Sequence, residues 1–325
     1  MVAKQPGEGL LSLQHSEADE GLRASQPLTP ALRADPLPPE RVRSRMMSAQ
    51  PPPDAELAQL RQEIDALDKT MHEALMARGR IIERLIEVKK RQGGGSAFRP
   101  DREVSMMRSL VARHKGLLPV DTVESIWRVI ISTFTYVQAH YSAHVDVSSG
   151  DAGMRDSARF HFGFTVPFVP HQGPLAVVRA VADAPADLGL VRAISVAADG
   201  PWWRALEAPD APKIIARLPF VDRADHPAGT PVFVIAHPLP TPTTEVMLYS
   251  IGLDRWSDAI PAGFSAAGGG LVGNAASAYG LSLLAALPGA GGVDQAQAIL
   301  AAAGAPGARV ALIGSHAAGS TLSRD

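Results

Sequence analysis

A long, uninterrupted helical pattern near the N-terminus restricts the fold of this chain more than any other feature. After the prolines at 51–53 and a possible N-cap at Asp54, apolar residues recur at steps of mostly three and four until the glycines at 93–95. A helix of nearly forty residues is about 55 Å long, at about 1.5 Å per residue. It would extend beyond a compact domain of ordinary size, so its apolar stripe needs a partner. The pattern therefore predicts self-association into a homodimer. The stripe consists of Leu57, Leu60, Ile64, Leu67, Met71, Leu75, Ile82 and Leu85.

Two shorter helices are predicted after the long one. The first begins at Pro100, because proline is favourable in the first turn of a helix. The second begins near Asp121, where the run from Asp121 to Glu124 approximates a capping box, and its apolar stripe runs from Val123 to Tyr141. Residues 54–145 are therefore predicted to form an all-α domain of three helices.

The second half of the chain has the pattern of an α/β domain. Short β-rich runs begin at Leu188, Pro231, Glu245 and Arg309, and they alternate with Ala-rich helical runs at 175–184 and 293–303. We therefore predict a multidomain chain, with a disordered Pro-rich leader at 1–53, the helical domain at 54–145, a linker at 146–156 and an α/β domain at 157–325. A further hypothesis is that the natural start is Met46 or Met47, which would make the segment upstream dispensable.

Composition excludes several functional classes. Hydrophobic residues make up 46% and charged residues 20% of the chain, as in soluble globular proteins, and the formal net charge of -2 predicts no attraction to nucleic acid or anionic membranes. No apolar run reaches the ~18 residues of a membrane span, and the N-terminus has no signal-peptide pattern. Cysteine is absent, which excludes disulfides, thiolate catalysis and Cys-bound metals and predicts a cytoplasmic location.

Two cations interrupt the apolar stripe of the long helix. Arg78 and Lys89 fall within about 20° of the stripe's centre and lie three turns apart. Each could extend its charge to water or pair with a carboxylate across an interface. However, a buried charge needs compensation, and the one candidate carboxylate, Glu103, cannot neutralise several cations. The surplus positive charge predicts an anionic ligand, such as a dicarboxylate. Gln138 lies within the apolar arc of the third helix, where it could face water or donate a hydrogen bond into the same pocket.

These residues belong to a longer pattern. It runs Leu60-Arg61-x-x-Ile64-Asp65-x-Leu67-Asp68, then Arg78, Lys89, Arg99-Pro100-x-Arg102-Glu103, Trp127-x-x-Ile130-Ile131 and Gln138. The pattern resembles the all-helical chorismate mutases over about ninety residues. Members of that family are intertwined helical dimers that rearrange chorismate to prephenate in phenylalanine and tyrosine biosynthesis. This agrees with the length of the first helix.

The resemblance implies a role for each polar residue of the pattern. Arg78 would hold a substrate carboxylate, and Arg61 would hold one in the site of the other subunit. Lys89 would contact a carboxylate and the ether oxygen of the breaking C–O bond, and Gln138 would donate to the same oxygen. Glu103 would bind the substrate hydroxyl and Arg102 would form part of the polar wall. The reaction needs no cofactor and no metal.

The sequence departs from the family at two of these positions. Arg99 stands where an aspartate is common, and Phe134 stands where a small hydroxyl residue is common. The first adds a cation to the substrate-binding residues. The second removes a polar contact and narrows the pocket, so both are expected to alter affinity and rate.

The second half carries weaker signals. Residues 157–191 and the run starting at Arg309 faintly resemble prephenate dehydratases, but the Glu-Asn-Ser and Thr-Arg-Phe motifs of that family are missing near Ala193 and Thr230. This predicts a degenerate, non-catalytic remnant. The GxGxxG match at 268–273 is better explained as a flexible loop, and His140 with His144 as a solvated helix end rather than a metal clamp.

Taken together, these patterns predict a homodimeric chorismate mutase with an appended α/β domain. Two alternatives remain open, namely a bifunctional mutase–dehydratase and a non-catalytic, mutase-like regulatory or binding protein. The departures at Arg99 and Phe134 favour the non-catalytic alternative. The retained residues of the pattern oppose it, namely Arg78, Lys89, Glu103 and Gln138.

Overall fold

The structure is a computed structural model that describes residues 53–91, 98–194, 199–223, 225–277, 280–289 and 291–321. It divides the chain into two units, residues 1–61 and residues 62–325. The described part of the first unit, residues 53–61, is helical. The predicted leader up to residue 52, with Met46 and Met47, lies outside the described residues.

Three helices form the N-terminal part, as predicted. Helix α1 spans Pro53–Arg91, α2 spans Pro100–Arg113 and α3 spans Val120–Gln138. The capping box at Asp121 is wrong, because no side chain caps α3 and the Asp121 carboxylate instead pairs with Arg223 at 2.5 Å. The third helix also ends earlier than predicted, since the backbone after Gln138 turns into a strand.

The first half of the α1 segment in the second unit is exposed in the described structure. All residues from 62 to 76 are exposed, including Ile64 at 56%, Leu67 at 64% and Met71 at 59%. Only from Ala77 onward do positions on one face become partly buried. An apolar stripe of this length in water is unfavourable, at about 25 cal/mol for each Å² left exposed.

The remainder forms a mixed nine-stranded sheet in the order β2-β1-β3-β6-β4-β10-β7-β9-β8. A separate two-stranded sheet pairs β5 with β11. The strands are β1 (Ala143–Asp146), β2 (Phe168–His171), β3 (Leu188–Arg192), β4 (Lys213–Leu218), β5 (Val221–Asp222), β6 (Val232–Ala236), β7 (Val246–Leu253), β8 (Gly270–Ser277), β9 (Gly280–Pro288), β10 (Arg309–His316) and β11 (Ser320–Thr321).

Helices cover both ends of the large sheet. Helix α4 (Asp151–Phe162) packs on α3 and β1, and α5 (Pro174–Asp183) packs on β1, β3 and β6. A short 3-10 helix, Trp202–Leu206, packs on α5. Helices α6 (Ala259–Ala266) and α7 (Gly292–Ala302) join β7 to β10 in a βαββαβ unit. The predicted fold class, a three-helix all-α part followed by an α/β part, is confirmed.

The two halves of the sheet meet where β4 pairs with β10. Gly314 is the residue of β10 that pairs with Ile214. Only glycine fits here, because a Cβ at this position would lie 2.1 Å from the carbonyl oxygen of Ile214. Its φ of 152° is also one that other residues rarely adopt. The loop predicted at 268–273 is wrong from residue 270 onward, where β8 begins as an edge strand. A helix rather than a strand precedes this glycine run, so a dinucleotide-binding turn is not formed there.

The predicted linker at 146–156 is wrong, because it contains the end of β1 and the first half of α4. Residues 143–145, which were assigned to the helical domain, pair with β2 and β3. One hydrophobic cluster includes Val104 and Ile131 from the helices together with Val145, Leu190 and Val234 from the sheet. Helices α2 and α3 therefore share a core with the α/β part, and the division into domains stays a proposal.

Candidate active site

A cavity of about 320 Å³ lies between the C-terminal third of α1, the start of α2 and the second half of α3. Its volume is within the range of small-molecule sites. Charged side chains from α1 and from residues 99–103 line it, and α3 contributes polar and apolar side chains. It is lined by Arg78, Ile82, Leu85, Lys89, Arg99, Asp101, Arg102, Glu103, Met106, Ile131, Phe134, Thr135 and Gln138.

Seven of the eight residues proposed from the sequence line this cavity. They are Arg78, Lys89, Arg99, Arg102, Glu103, Phe134 and Gln138. The eighth, Arg61, lies in the unit of residues 1–61, where its side chain is exposed. The structure therefore brings together residues that are up to sixty positions apart in the chain.

Lys89 and Gln138 contact each other across the cavity. The Lys89 ammonium donates to Oε1 of Gln138 at 3.2 Å, and Nε2 of Gln138 donates to the carbonyl oxygen of Phe134 at 3.0 Å. The amide orientation follows from its neighbours, because an ammonium can only donate and a carbonyl can only accept. Gln138 therefore has one further N–H available for a ligand.

Arg78 is held against an aromatic ring. Its guanidinium carbon lies 4.9 Å from the centre of the Phe134 ring, within the range of a cation–π contact. Burial lowers the pKa of Arg78, and the positive charge of Arg102 lowers it further. Phe134 thus lines the cavity beside the guanidinium of Arg78.

The cavity holds more positive than negative charge. Four cations line it, Arg78, Lys89, Arg99 and Arg102, against the two carboxylates of Asp101 and Glu103. Burial lowers the pKa of Lys89, followed by the charges of Arg99 and Arg102. The nearest ionic contact of Arg99 is its Nε to Asp101 Oδ1 at 3.7 Å, which is too long for a hydrogen bond. An anionic ligand would relieve this repulsion.

Arg128 is a residue of the site region that the sequence analysis missed. It is fully buried behind the cavity, and its Nη1 donates to Oε2 of Glu103 at 2.5 Å. Burial raises the pKa of Glu103, and the Arg128 charge opposes that rise. Glu103 is therefore already paired with Arg128, which leaves Asp101 as the other carboxylate of the lining beside four cations. A possible sequence signal was the pair Glu124 and Arg128, four residues apart, beside the apolar stripe.

His140 and His144 do not lie on the third helix, contrary to the prediction, because α3 ends at Gln138. His144 lies on β1, where its Nε2 contacts Asp187 at 2.9 Å and its Nδ1 contacts Nε2 of His171 at 2.8 Å. His140 is exposed. No cluster of three or more His, Asp or Glu side chains in the described ranges is arranged to hold a metal ion.

The geometry and the family comparison agree on the helical part. Residues 60–139 match the sequence profile of the chorismate mutase type II family. This match confirms the resemblance to the chorismate mutases found in the sequence. No curated protein is significantly similar to this chain.

Several solved structures are similar to just over half of the chain. They include a prephenate dehydratase from Streptococcus mutans, at 13% identity and a TM-score of 0.37 over 56% of this chain and 100% of that chain. A prephenate dehydratase from Arthrobacter aurescens in complex with L-Phe has 13% identity and a TM-score of 0.36 over 54% and 90%. GqqA, described as a novel type of quorum quenching acylase, has 15% identity and a TM-score of 0.36 over 54% and 94%.

Among the described residues, no helix is both long and apolar enough to span a membrane.

Proposed function

We propose that this protein is a chorismate mutase, which converts chorismate to prephenate by an intramolecular Claisen rearrangement. The observation that supports this most strongly is the cavity of a chorismate mutase type II domain, in which four cations exceed two carboxylates and one of those carboxylates is paired from behind. Such a cavity suits a small dianion. The reaction involves no nucleophile and no proton transfer, so binding and electrostatics can supply the catalysis.

The cations would first fix the shape of the substrate. A flexible dicarboxylate has to be held in a chair-like conformer that brings the reacting carbons together, and cations on both carboxylates do this. Arg78 is pre-oriented for one carboxylate by its contact with Phe134. Arg102 and Arg99 lie close enough to Lys89 and Arg78 to affect their pKa values, so they share the same small volume.

The rate enhancement would come from stabilising the negative charge that develops on the ether oxygen in the transition state. Lys89 is the donor we assign to this oxygen, with the free N–H of Gln138 as the second. Both are held in place before the substrate arrives, because Lys89 and Gln138 are hydrogen-bonded to each other and Gln138 is anchored to the α3 backbone. Preorganised donors of this kind stabilise a transition state more than a ground state.

We further propose that the protein is a homodimer in which α1 pairs with a second copy. The support is the exposed stripe from Ile64 to Leu75, which has no cover in the described part of its own unit. Arg61 would then reach the cavity of the other copy. The absence of cysteine supports a cytoplasmic location, which we also propose.

A second candidate is a mutase-like binding protein without turnover. The observation that favours it is the Phe134 ring, which lies against Arg78 and takes up cavity space. Such a protein would bind a dicarboxylate in the same place without rearranging it.

The test is to add chorismate to the purified full chain and follow its ultraviolet absorbance, with the product identified by NMR as prephenate. Lys89→Met and Lys90→Met provide a matched pair, because Lys90 is the neighbouring lysine and its ammonium pairs with Glu87 on the surface at 2.9 Å. We expect turnover by the wild type and by Lys90→Met but not by Lys89→Met. Binding of chorismate without loss of absorbance would favour the second candidate, and neither binding nor turnover would refute the proposal.

A further inference from the structure

The cavity carboxylate of Glu103 is connected to the α/β part of the chain through a single side chain. Glu103 lies on α2 and is 4% exposed, and Arg128 lies on α3 and is 0% exposed. One donor of the Arg128 guanidinium binds Glu103 Oε2 at 2.5 Å. The other two nitrogens, Nε and Nη2, donate to the carbonyl oxygen of His161 at 3.2 and 3.0 Å.

The second anchor of Arg128 lies outside the mutase domain. His161 is in the last turn of α4, beyond the segment that matches the family profile. Its carbonyl is a suitable acceptor, because carbonyls in the last turn of a helix have no partner within the helix. The rings of Phe162 and Phe220 also lie 6.0 and 5.3 Å from the guanidinium carbon. Hence α4 and the loop before β5 enclose Arg128.

Burying the Arg128–Glu103 ion pair in a protein core costs desolvation free energy. Replacing a buried ion pair by apolar side chains of similar size is often neutral or stabilising, so stability alone does not account for it. The three nitrogens of a guanidinium lie in one plane at fixed angles. When two of these nitrogens donate to the same carbonyl oxygen, the direction of the third nitrogen is fixed. That direction is toward the cavity carboxylate.

We propose that Arg128 is a positioning residue for Glu103, and that the α/β part, through the His161 carbonyl, is a structural component of the mutase cavity. The catalytic part of this proposal rests on the proposed chorismate mutase function. Arg128 itself does not line the cavity and would not touch the substrate. It favours the ionised form of the Glu103 carboxylate and holds it in one orientation, in which it can accept a hydrogen bond from a substrate hydroxyl.

Several charged or titratable groups affect the pKa of Glu103. Together they determine the direction in which that pKa moves when Arg128 is removed. Burial raises its pKa, Arg128 on α3 lowers it and Asp101 on α2 raises it. Tyr141, just after α3, is coupled to the same carboxylate, and burial followed by the Glu103 charge raises its pKa. The cavity cations from α1 and α2 also face this region. Losing Arg128 should therefore raise the pKa of Glu103, so that it is protonated over a wider range of pH.

The test compares Arg128→Met with Arg108→Met. Arg108 makes a similar clamp, because it donates from α2 to both carboxylate oxygens of Glu245, at 2.9 and 2.7 Å, and to the carbonyl of Ala318 at 2.8 Å. It lies outside the cavity lining. We expect Arg128→Met to move the acidic limb of the kcat/KM profile for chorismate upward by about one pH unit or more, as for an acid that loses a neighbouring cation. Arg108→Met should leave that limb in place.

The same shift should be visible without turnover. In protein with carboxyl-labelled glutamate, the ¹³C signal of Glu103, assigned by its loss in Glu103→Gln, should titrate at higher pH in Arg128→Met than in the wild type. An unchanged titration would overturn the proposal. If the wild type does not convert chorismate, the proposed function fails, whereas this titration still decides whether Arg128 controls Glu103.

A conservative variant covers the case in which Arg128→Met does not fold. Arg128→Lys keeps the positive charge but cannot bind His161 and Glu103 in one rigid fork. We expect its Glu103 titration to stay close to the wild type while kcat/KM falls at all pH values by tenfold or more, roughly the loss of one charged hydrogen bond. Wild-type kcat/KM in Arg128→Lys would show that a fixed geometry is not needed and would overturn the positioning role.

Discussion

Replacing Lys89 by Met removes one ammonium from the cavity and keeps most of the aliphatic side chain. In the described structure the ammonium makes one hydrogen bond, to Gln138 at 3.2 Å, whose loss costs about 0.5–1.5 kcal/mol. The same change removes repulsion with Arg99 and Arg102, which partly offsets this loss. Folding stability should therefore change by less than about 1 kcal/mol, which is a shift in Tm of at most about 4 °C.

The effect on the reaction should be much larger than the effect on folding. Removing one preorganised donor from a developing oxyanion typically costs about 10²–10³ in kcat, or about 2.7–4 kcal/mol. The assay is the ultraviolet decay of chorismate, with thermal unfolding measured on the same samples and Lys90→Met as the reference. A Lys89→Met variant within threefold of Lys90→Met in kcat would refute the assignment of Lys89. A loss of activity that only accompanies a large fall in Tm would refute the reasoning that separates the two effects.

Four further predictions follow from the charges and contacts described above. Because Arg99 lowers the pKa of Lys89, Arg99→Gln should raise it and move the alkaline limb of the kcat profile to higher pH, measured between pH 7 and about 10.5. Arg61→Ala and Lys89→Ala chains should each be inactive, and mixing them with subunit exchange should restore part of the activity if the site is shared. Leu67→Glu should give a monomer in sedimentation experiments, since it places a charge in the exposed stripe of α1. Gly314→Ala should lower the free energy of unfolding by about 1–3 kcal/mol in urea titrations, because a Cβ there meets backbone.

The part of the site on α1 was predictable because helical periodicity is a local property. Arg78 and Lys89 could be placed on the apolar face from numbering alone, and both line the cavity. Arg99, Arg102 and Glu103 are different, since they lie beyond residues 92–97 and no local pattern relates the start of α2 to α1. They were assigned through the resemblance to a family, and the cavity contains all three.

Arg128 was missed because a charged pair at spacing four usually marks a solvent-exposed face of a helix. Glu124 and Arg128 have this spacing, yet both are fully buried. The reason is tertiary, because α4 and the segment around His226 cover that face, and Nε2 of His226 contacts Glu124 at 3.2 Å. In contrast, Ile126 and Val137, which belong to the predicted apolar stripe between Val123 and Tyr141, are 38% and 52% exposed.

The strands that escaped prediction have compositions that favour other structures. β9 reads Gly-Leu-Ser-Leu-Leu-Ala-Ala-Leu-Pro, which is rich in helix-forming Leu and Ala, but its interior is buried between β7 and β8. β1 is short and contains His144 and Asp146, and polar side chains of this kind suggest a loop. Their hydrogen-bond partners, Asp187 for His144 and the backbone of Gly173 for Asp146, come from distant parts of the chain. A single sequence does not reveal such partners.

The position of α3 explains why the helical and α/β parts cannot be treated as independent. One side of α3 faces the cavity with Phe134 and Gln138, and another side buries Glu124 and Arg128 against α4 and His226. A chain cut after residue 145 would leave these two charges and the apolar residues of the shared core without their partners. The residues proposed to bind the substrate are therefore supplied by the segment that matches the mutase family, whereas part of the surface that holds α3 in place is supplied by the α/β part.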